Sequence, residues 1–198
     1  YTGEDTLSLH DALPISWMET LQSRALMLCV LVTLLYSAGQ FVLFSYFAPY
    51  YKAQLQITPV QLSLLFAWFG AFGLMGNIVM SRHIDRIGAS RAVMWGVGSM
   101  ALSLLLWPLG TSLLLAALIS VPWALGCFSS NSAQQARLAA IAPALASGSI
   151  ALNTSAMYAG QALGATMGAA VIVQRGLVAL PHFSLIGMLL AKIGRAHV

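Results

Sequence analysis

Long apolar runs constrain this chain more than any other feature of its sequence. A helix of about 20 apolar residues crosses the hydrocarbon core of a bilayer, which is about 30 Å thick. The runs cover 25–50, 60–80, 92–109, 113–128, 144–173 and 177–191. Buried helices of a soluble protein would need polar helices around them, and the sequence offers none. We therefore predict an all-α integral membrane helical bundle with five complete transmembrane helices and a truncated sixth.

The composition supports a membrane environment. Charged residues make up 7% of the chain and hydrophobic residues 59%, whereas a soluble domain has about a quarter of its residues charged. The expected partner is the lipid bilayer, and without a lysine-rich or arginine-rich run no nucleic acid is expected. Cys29 and Cys127 lie inside apolar runs and are interpreted as small buried hydrophobes. No Cys/His cluster has metal-site spacing, so no metal or cofactor is predicted.

Both ends of the chain resemble a translated sequencing adapter. The codons GCT CTT CCG ATC encode Ala12-Leu13-Pro14-Ile15, and the reverse complement of that stem, read in another frame, encodes the segment 192–198. One inverted DNA stem therefore accounts for two otherwise unrelated ends. We expect 1–16 and 192–198 to be non-native tails. The native part, 17–191, is then expected to be a fragment of a longer reading frame.

The basic residues between the spans predict an orientation. With a cytoplasmic N-terminus, the basic residues of the inner segments are Arg24, Arg82, Arg86, Arg91 and Arg137. Those of the outer segments are Lys52 and Arg175. This excess on the inner side obeys the positive-inside rule, and the opposite orientation would violate it. The N-terminus of the fragment is therefore predicted to be cytoplasmic.

The segment Ser81–Arg91 is predicted to be a charged loop between the second and third spans. A carboxylate at Asp85 could accept hydrogen bonds from the N-terminal amides of a neighbouring helix and pair with an arginine. Such a latch could form in one conformation and break in another. The alternative is a loop whose arginines only keep it on the cytoplasmic side. The spacing alone leaves both interpretations open.

This segment resembles the loop Gly-x-Leu-Ala-Asp-Arg-x-Gly-Arg-Arg that follows the second helix of each half of major facilitator superfamily transporters. Asp85, Arg86 and Gly88 match that pattern, and Arg91 supplies a base one or two positions late. Ser81 stands where the family has its first glycine. The resemblance implies a gating loop, formed by Asp85, Arg86, Gly88 and Arg91, that helps to hold the outward-open state.

Other blocks resemble the same family in its own order. Segment 41–50 is similar to the seventh helix of bacterial drug and sugar efflux permeases, 135–143 to the loop between helices ten and eleven, and 151–168 to helix eleven. The closest likeness is to arabinose-efflux-type permeases of the proton-driven drug efflux group. The resemblance implies the C-terminal half of a twelve-helix fold, missing its N-terminal half. It also implies a multi-pass protein of the bacterial inner membrane that is a transporter rather than an enzyme.

Small residues recur along the fifth span. Gly160, Gly164 and Gly168 are four residues apart and share one face, where a neighbouring helix can pack closely and slide. Gly70, Gly73 and Gly76 do something similar in the second span. Static close packing is the alternative interpretation.

Polar and aromatic residues inside the spans are candidates for contacts with a small-molecule substrate. Tyr36 and Gln40 are one turn apart and share a face. Asn153 shares a face with Gly160, and Trp123 and Gln161 are further candidates. Amides are costly in lipid, so these side chains are expected to face protein or water. Hydrogen bonding between helices is the alternative for each of them.

No Asp or Glu lies inside a predicted span. Proton relays in membranes usually use intramembrane carboxylates or histidines. The proton coupling that the resemblance implies is therefore assigned to the missing N-terminal half, with His182 as a weaker candidate. An intramembrane hydrolase lacks support, since Asp85 has no paired acid. A channel or a non-transporting six-helix subunit remains the alternative, although no filter-like loop or charged ring is visible.

Overall fold

The computed structural model describes residues 18–194, and within that range the chain is helical with short connections. A helical segment at 18–22 precedes the main helices. These are α1 (Arg24–Phe44), α2 (Phe47–Leu55), α3 (Pro59–Ile87), α4 (Ala89–Leu106), α5 (Leu113–Ile141), α6 (Ala146–Arg175) and α7 (Leu180–Gly194). Single 3₁₀ turns lie at Trp107–Leu109, Pro143–Leu145 and Leu177–Ala179.

Five helical segments are long and apolar enough to cross a membrane. They are Arg24–Leu55, Pro59–Ile87, Ala89–Leu109, Leu113–Ile141 and Pro143–Arg175. The sixth apolar segment, Leu177–Lys192, is shorter. The predicted all-α membrane bundle is thereby confirmed. The predicted tail 1–16 lies outside the described residues, and α7 continues past the predicted boundary at 191 as far as Gly194.

The first predicted span is interrupted near its end. α1 stops at Phe44, Ser45 and Tyr46 form a turn, and α2 starts at Phe47. Pro49 explains the position of this break, because a proline ring inside a helix collides with the carbonyl four residues earlier, here that of Ser45. α2 then ends at Leu55, and the following residue, Gln56, has a left-handed φ of 50°.

The predicted charged loop at Ser81–Arg91 is wrong as a description of the backbone. α3 continues to Ile87 and α4 starts at Ala89, so Gly88, with φ 85°, is the entire connection. The stretch 129–143, which lies between two predicted spans, is also mostly helical, because α5 reaches Ile141. Hydropathy marks only the apolar turns of a helix, whereas α3 continues as exposed polar turns and α5 continues as turns partly buried in the bundle.

The ends of several helices follow local sequence signals. Thr58 caps α3 through a capping box with Gln61, and Pro59 occupies the first turn. Ser112 caps α5 through the Leu115 amide. α5 ends before Pro143, since a proline disfavours helical dihedrals at the preceding residue.

The helices pack in two sets. α1 packs along α6 and α7, while α5 packs along α3 and α4, and contacts of α4 with α7 and of α5 with α1 and α6 join the sets. The structure places Gly160, Gly164 and Gly168 on the face of α6 that meets α1. A Cβ at each would touch a backbone carbonyl oxygen of α1, so the two backbones approach as closely as their atoms allow.

Candidate functional site

A cavity of about 430 Å³ lies between α1, α3, α5 and α6. Half of its lining residues are aromatic, and the remainder are amides, small residues and two sulfur-containing side chains. None of them carries a charge. They are Tyr36, Ser37, Gln40, Phe41, Phe44, Phe66, Phe69, Gly70, Cys127, Phe128, Asn131, Met157, Tyr158 and Gln161.

Tyr36 and Gln40 form one polar edge of the cavity, as their one-turn spacing on α1 allows. The Gln40 amide donates from Nε2 to the Sγ of Cys127 on α5, with 2.8 Å between the two atoms. The Tyr36 hydroxyl is buried and has no hydrogen-bond partner in the described part of the chain. A buried hydroxyl without a partner is costly, and this oxygen is closed to solvent.

Two further amides line the cavity from the opposite helices. Asn131 is contributed by α5 and Gln161 by α6. Over residues 18–194 neither side chain makes a hydrogen bond. The cavity therefore presents two uncommitted amides to its interior.

The structure places Trp123 behind the cavity wall and not on it. Its side chain is fully buried and packs against Phe44 and Phe69, with ring centroids 5.9 and 6.0 Å away. Trp107 packs on its other side at 5.1 Å. Trp123 is thus a support for the two phenylalanines that line the cavity.

Asn153 also lies away from the cavity lining, inside a contact between α1 and α6. The Thr33 hydroxyl donates to Asn153 Oδ1 at 2.5 Å. Gln134 of α5 donates from Nε2 to the Cys29 carbonyl, one turn before Thr33, at 2.6 Å. The same carbonyl lies 3.3 Å from the Thr33 hydroxyl. These bonds form a buried polar chain that joins α5, α1 and α6.

A family model of the Major Facilitator Superfamily matches residues 29–193. The chain belongs to the major facilitator superfamily. The match includes all four helices that line the cavity. Members of this family are transporters, so the chain is a multi-pass membrane protein of a transporter family.

The four residues that resemble the family's gating loop lie together, but far along α3 and α4 from the cavity lining. Asp85 and Arg86 are on the last turn of α3, Gly88 is the connection, and Arg91 is on the first turn of α4. All four are exposed. Asp85 makes no hydrogen bond or ion pair with any part of the chain that the structure describes. Within the superfamily fold, the carboxylate is thus free to contact a segment outside this range.

Several cavity residues were missed by the sequence reasoning. Cys127, Phe128 and Asn131 lie on α5, where the predicted span ended at residue 128. The four-residue spacing of Cys127 and Asn131 would have indicated that the two side chains share a helix face. That inference requires α5 to continue past residue 128. Among residues 18–194, no group of three or more His, Cys, Asp or Glu side chains could hold a metal ion.

Proposed function

We propose that this chain is the C-terminal half of a secondary active transporter that exports small molecules, such as drugs or sugars, by alternating access. The cavity carries this proposal. Its amides, Asn131 and Gln161, are unpaired, and an unpaired amide cannot face lipid without a large cost. The surface around them must therefore be covered by protein or filled with water.

Exposed aromatic side chains at the cavity favour a second protein surface that covers it. Phe66, Phe128 and Tyr158 line the cavity yet are 39%, 47% and 61% exposed. A second half of the same polypeptide, related by pseudo-symmetry, would cover these rings and close the cavity around its substrate. Two such halves that rock about a central site are the basis of alternating access.

The contact between α1 and α6 suits such a motion. Glycines at three successive turns of α6 leave no side-chain ridge on the face that meets α1. Two smooth helices can shift along each other without side chains having to repack. We propose that α6, which also lines the cavity with Gln161, moves along α1 during the transport cycle.

We propose that protons drive export through the N-terminal half. Between Arg24 and Gly194, Asp85 is the one acidic residue, and it lies at a helix end away from the cavity. His182 of α7 is exposed and does not line the cavity. A proton-binding carboxylate near the substrate would then have to come from the other half. The protein would reside in a bacterial inner membrane with the N-terminus of this fragment in the cytoplasm.

The first test is to sequence the genomic locus beyond Trp17 and Ala191. The proposal requires an upstream frame with six further apolar spans, a second Asp-Arg-x-Gly loop and an intramembrane acid. The reconstructed transporter should then export dye-like or sugar substrates from cells, and export should stop when the proton gradient is collapsed. Start and stop codons that closely flank this chain would contradict the proposal. A homodimer or a channel-like six-helix subunit would then be the better description.

A further inference from the structure

A second concavity lies on another face of the bundle, between α3, α4 and α5. It has a volume of about 390 Å³ and shares no lining residue with the cavity described above. Its walls are mainly apolar, from Met75 and Val79 of α3, Trp95 of α4 and Leu125 of α5. We call it the α3–α4 groove.

Two glycines form the floor of the groove. A Cβ at Gly76 of α3 would overlap the Leu125 backbone of α5, and a Cβ at Gly96 of α4 would overlap the side chain of Ser130. α5 therefore approaches both neighbouring helices closely. The outer side chains of α3 and α4 then form the walls of the groove on either side of this floor.

Both hydroxyl groups in the groove are already satisfied. The Ser99 hydroxyl donates to the Gly96 carbonyl at 2.9 Å, and the Ser129 hydroxyl donates to the Leu125 carbonyl at 2.6 Å. Met75, Val79 and Trp95 are 44%, 53% and 59% exposed. The groove thus offers a mainly apolar surface to whatever covers it.

Arginines continue the walls of the groove at one end. Arg82 and Arg86 follow Val79 of α3 by three and seven residues, so all three lie on one helical face. Arg91 precedes Trp95 of α4 by four residues and shares its face. All three arginines are exposed. Asp85 lies about a third of a turn from Val79, but it follows Arg82 by three residues and so neighbours that arginine on the helix surface.

These arginines lie at the end of a helix that is longer than a bilayer core. α3 has 29 residues and is therefore about 43 Å long at 1.5 Å per residue. It exceeds the hydrocarbon core, which is about 30 Å thick, by roughly two turns. Arg82 and Arg86 occupy the last two turns of α3, and Arg91 the first turn of α4. In a bilayer that covers the apolar part of α3, their guanidinium groups would reach the depth of phospholipid phosphates.

We propose that the α3–α4 groove is a binding site for an anionic phospholipid. One acyl chain lies along Met75, Val79 and Trp95, and the headgroup phosphate contacts Arg82, Arg86 and Arg91. The apolar trough excludes a free phosphate ion as the main ligand. A second transporter half does not fit either, because α4 contributes no residue to the cavity around which two halves would close.

Quenching of Trp95 by brominated lipids tests this site. Bromine on an acyl chain quenches a tryptophan that it touches, so Trp95 reports a chain in the groove. The chain is reconstituted into phosphatidylcholine vesicles that contain brominated phosphatidylglycerol or, at equal mole fraction, brominated phosphatidylcholine. The same titration on Trp95→Phe gives the contribution of the other tryptophans, which is subtracted. We expect the Trp95 signal to prefer phosphatidylglycerol by on the order of fivefold, about the contribution of one surface arginine, or more.

Variants in which glutamine replaces arginine distinguish a specific lipid site from general electrostatic attraction to anionic lipid. In R82Q/R86Q/R91Q the preference should fall to about twofold or less. Arg24→Gln removes an exposed arginine of α1 that lies outside the groove, so it should keep the preference of the unmodified chain. Equal quenching by both lipids in the unmodified chain would overturn the proposal, as would a preference that survives the triple substitution. Loss of the preference in R24Q would also overturn it, since that result reports net charge alone.

Single substitutions cover the case in which the triple variant does not insert. Arg91→Gln alone should reduce the preference, and an unchanged value would overturn the assignment of the headgroup. Val79→Phe fills an exposed part of the groove wall without changing charge. It should weaken quenching by both brominated lipids, and unchanged quenching would show that no acyl chain occupies the groove.

Discussion

Gly164 of α6 lies directly against the backbone carbonyl oxygen of Ala38 in α1. Gly160 and Gly168, one turn to either side, meet the carbonyls of Leu34 and Val42 in the same way. Backbone atoms cannot rotate away as a side chain can. Any larger residue at these positions therefore forces the two helices apart.

Replacement of Gly164 by alanine should destabilise the bundle. Overpacking costs about 1–3 kcal/mol, which exceeds the gain of about 0.5–1 kcal/mol from alanine's better helix propensity. Gly98→Ala is the matched control, since a Cβ there has nothing within 4 Å, and it should stabilise the chain slightly. Unfolding of both variants by denaturing detergent, followed by circular dichroism, makes the comparison. Equal stability of the two variants would show that α1 and α6 are not in close backbone contact.

The hydrogen bond between Thr33 and Asn153 should contribute measurably to stability. Thr33→Val removes the donor and leaves the buried Asn153 oxygen unpaired, so the unfolding free energy should fall by about 1 kcal/mol. Thr154→Val is the control, because the Thr154 hydroxyl donates only to the Ile150 carbonyl of its own helix. The same denaturing-detergent titration reports both variants. If T33V and T154V behave alike, the bond does not join α1 to α6.

Much of the fold could be predicted because helix positions that face lipid need apolar residues and positions that face water need polar ones. Apolar runs locate the spans, and Thr58 and Pro59 mark a helix start by chemistry local to a few residues. The ends of α3 and α5 could not be found in this way. Polar helical turns, such as 81–87 and 129–141, have the same composition as loops, and only Gly88 and Pro143 mark where the helices stop.

The candidate site was less accessible to sequence reasoning. Helical spacing shows that Tyr36 and Gln40 share a face, but it does not show which neighbour that face meets. Trp123 illustrates the limit, since its rotation about α5 places it behind Phe44 and Phe69. Such rotations depend on packing across many helices. Substrate contact by Tyr36, Gln40 and Gln161 stays a prediction.

Gly88 should be required by its backbone conformation. Its φ of 85° and ψ of 133° are strained for any residue with a side chain, although no atom lies within 4 Å of an added Cβ. Gly88→Ala should therefore cost about 1–3 kcal/mol of stability. Limited proteolysis should show faster cleavage near residues 86–91 in this variant. A G88A chain as stable as G98A would mean that the connection between α3 and α4 adopts another conformation.

Tyr36→Phe should separate a substrate contact from a structural role. The Tyr36 hydroxyl is buried in the cavity wall without a partner, so its removal should leave the stability unchanged or raise it. Tyr46→Phe is the matched control, because the Tyr46 hydroxyl donates to the Ala165 carbonyl at 2.8 Å. Loss of that bond should lower the unfolding free energy by about 1 kcal/mol. Thermal unfolding of the two variants in detergent measures the difference.

Transport kinetics test whether the Tyr36 hydroxyl contacts the substrate. In the full-length transporter that we propose, Y36F should raise the KM for a substrate that hydrogen-bonds this oxygen by about fivefold, the value of one such bond. Y46F should leave KM nearly unchanged, since its hydroxyl is committed to α6. If Y36F instead destabilises the chain as much as Y46F does, the Tyr36 hydroxyl has a partner within the protein. The cavity would then have to recognise its substrate through Asn131, Gln161 and the aromatic wall.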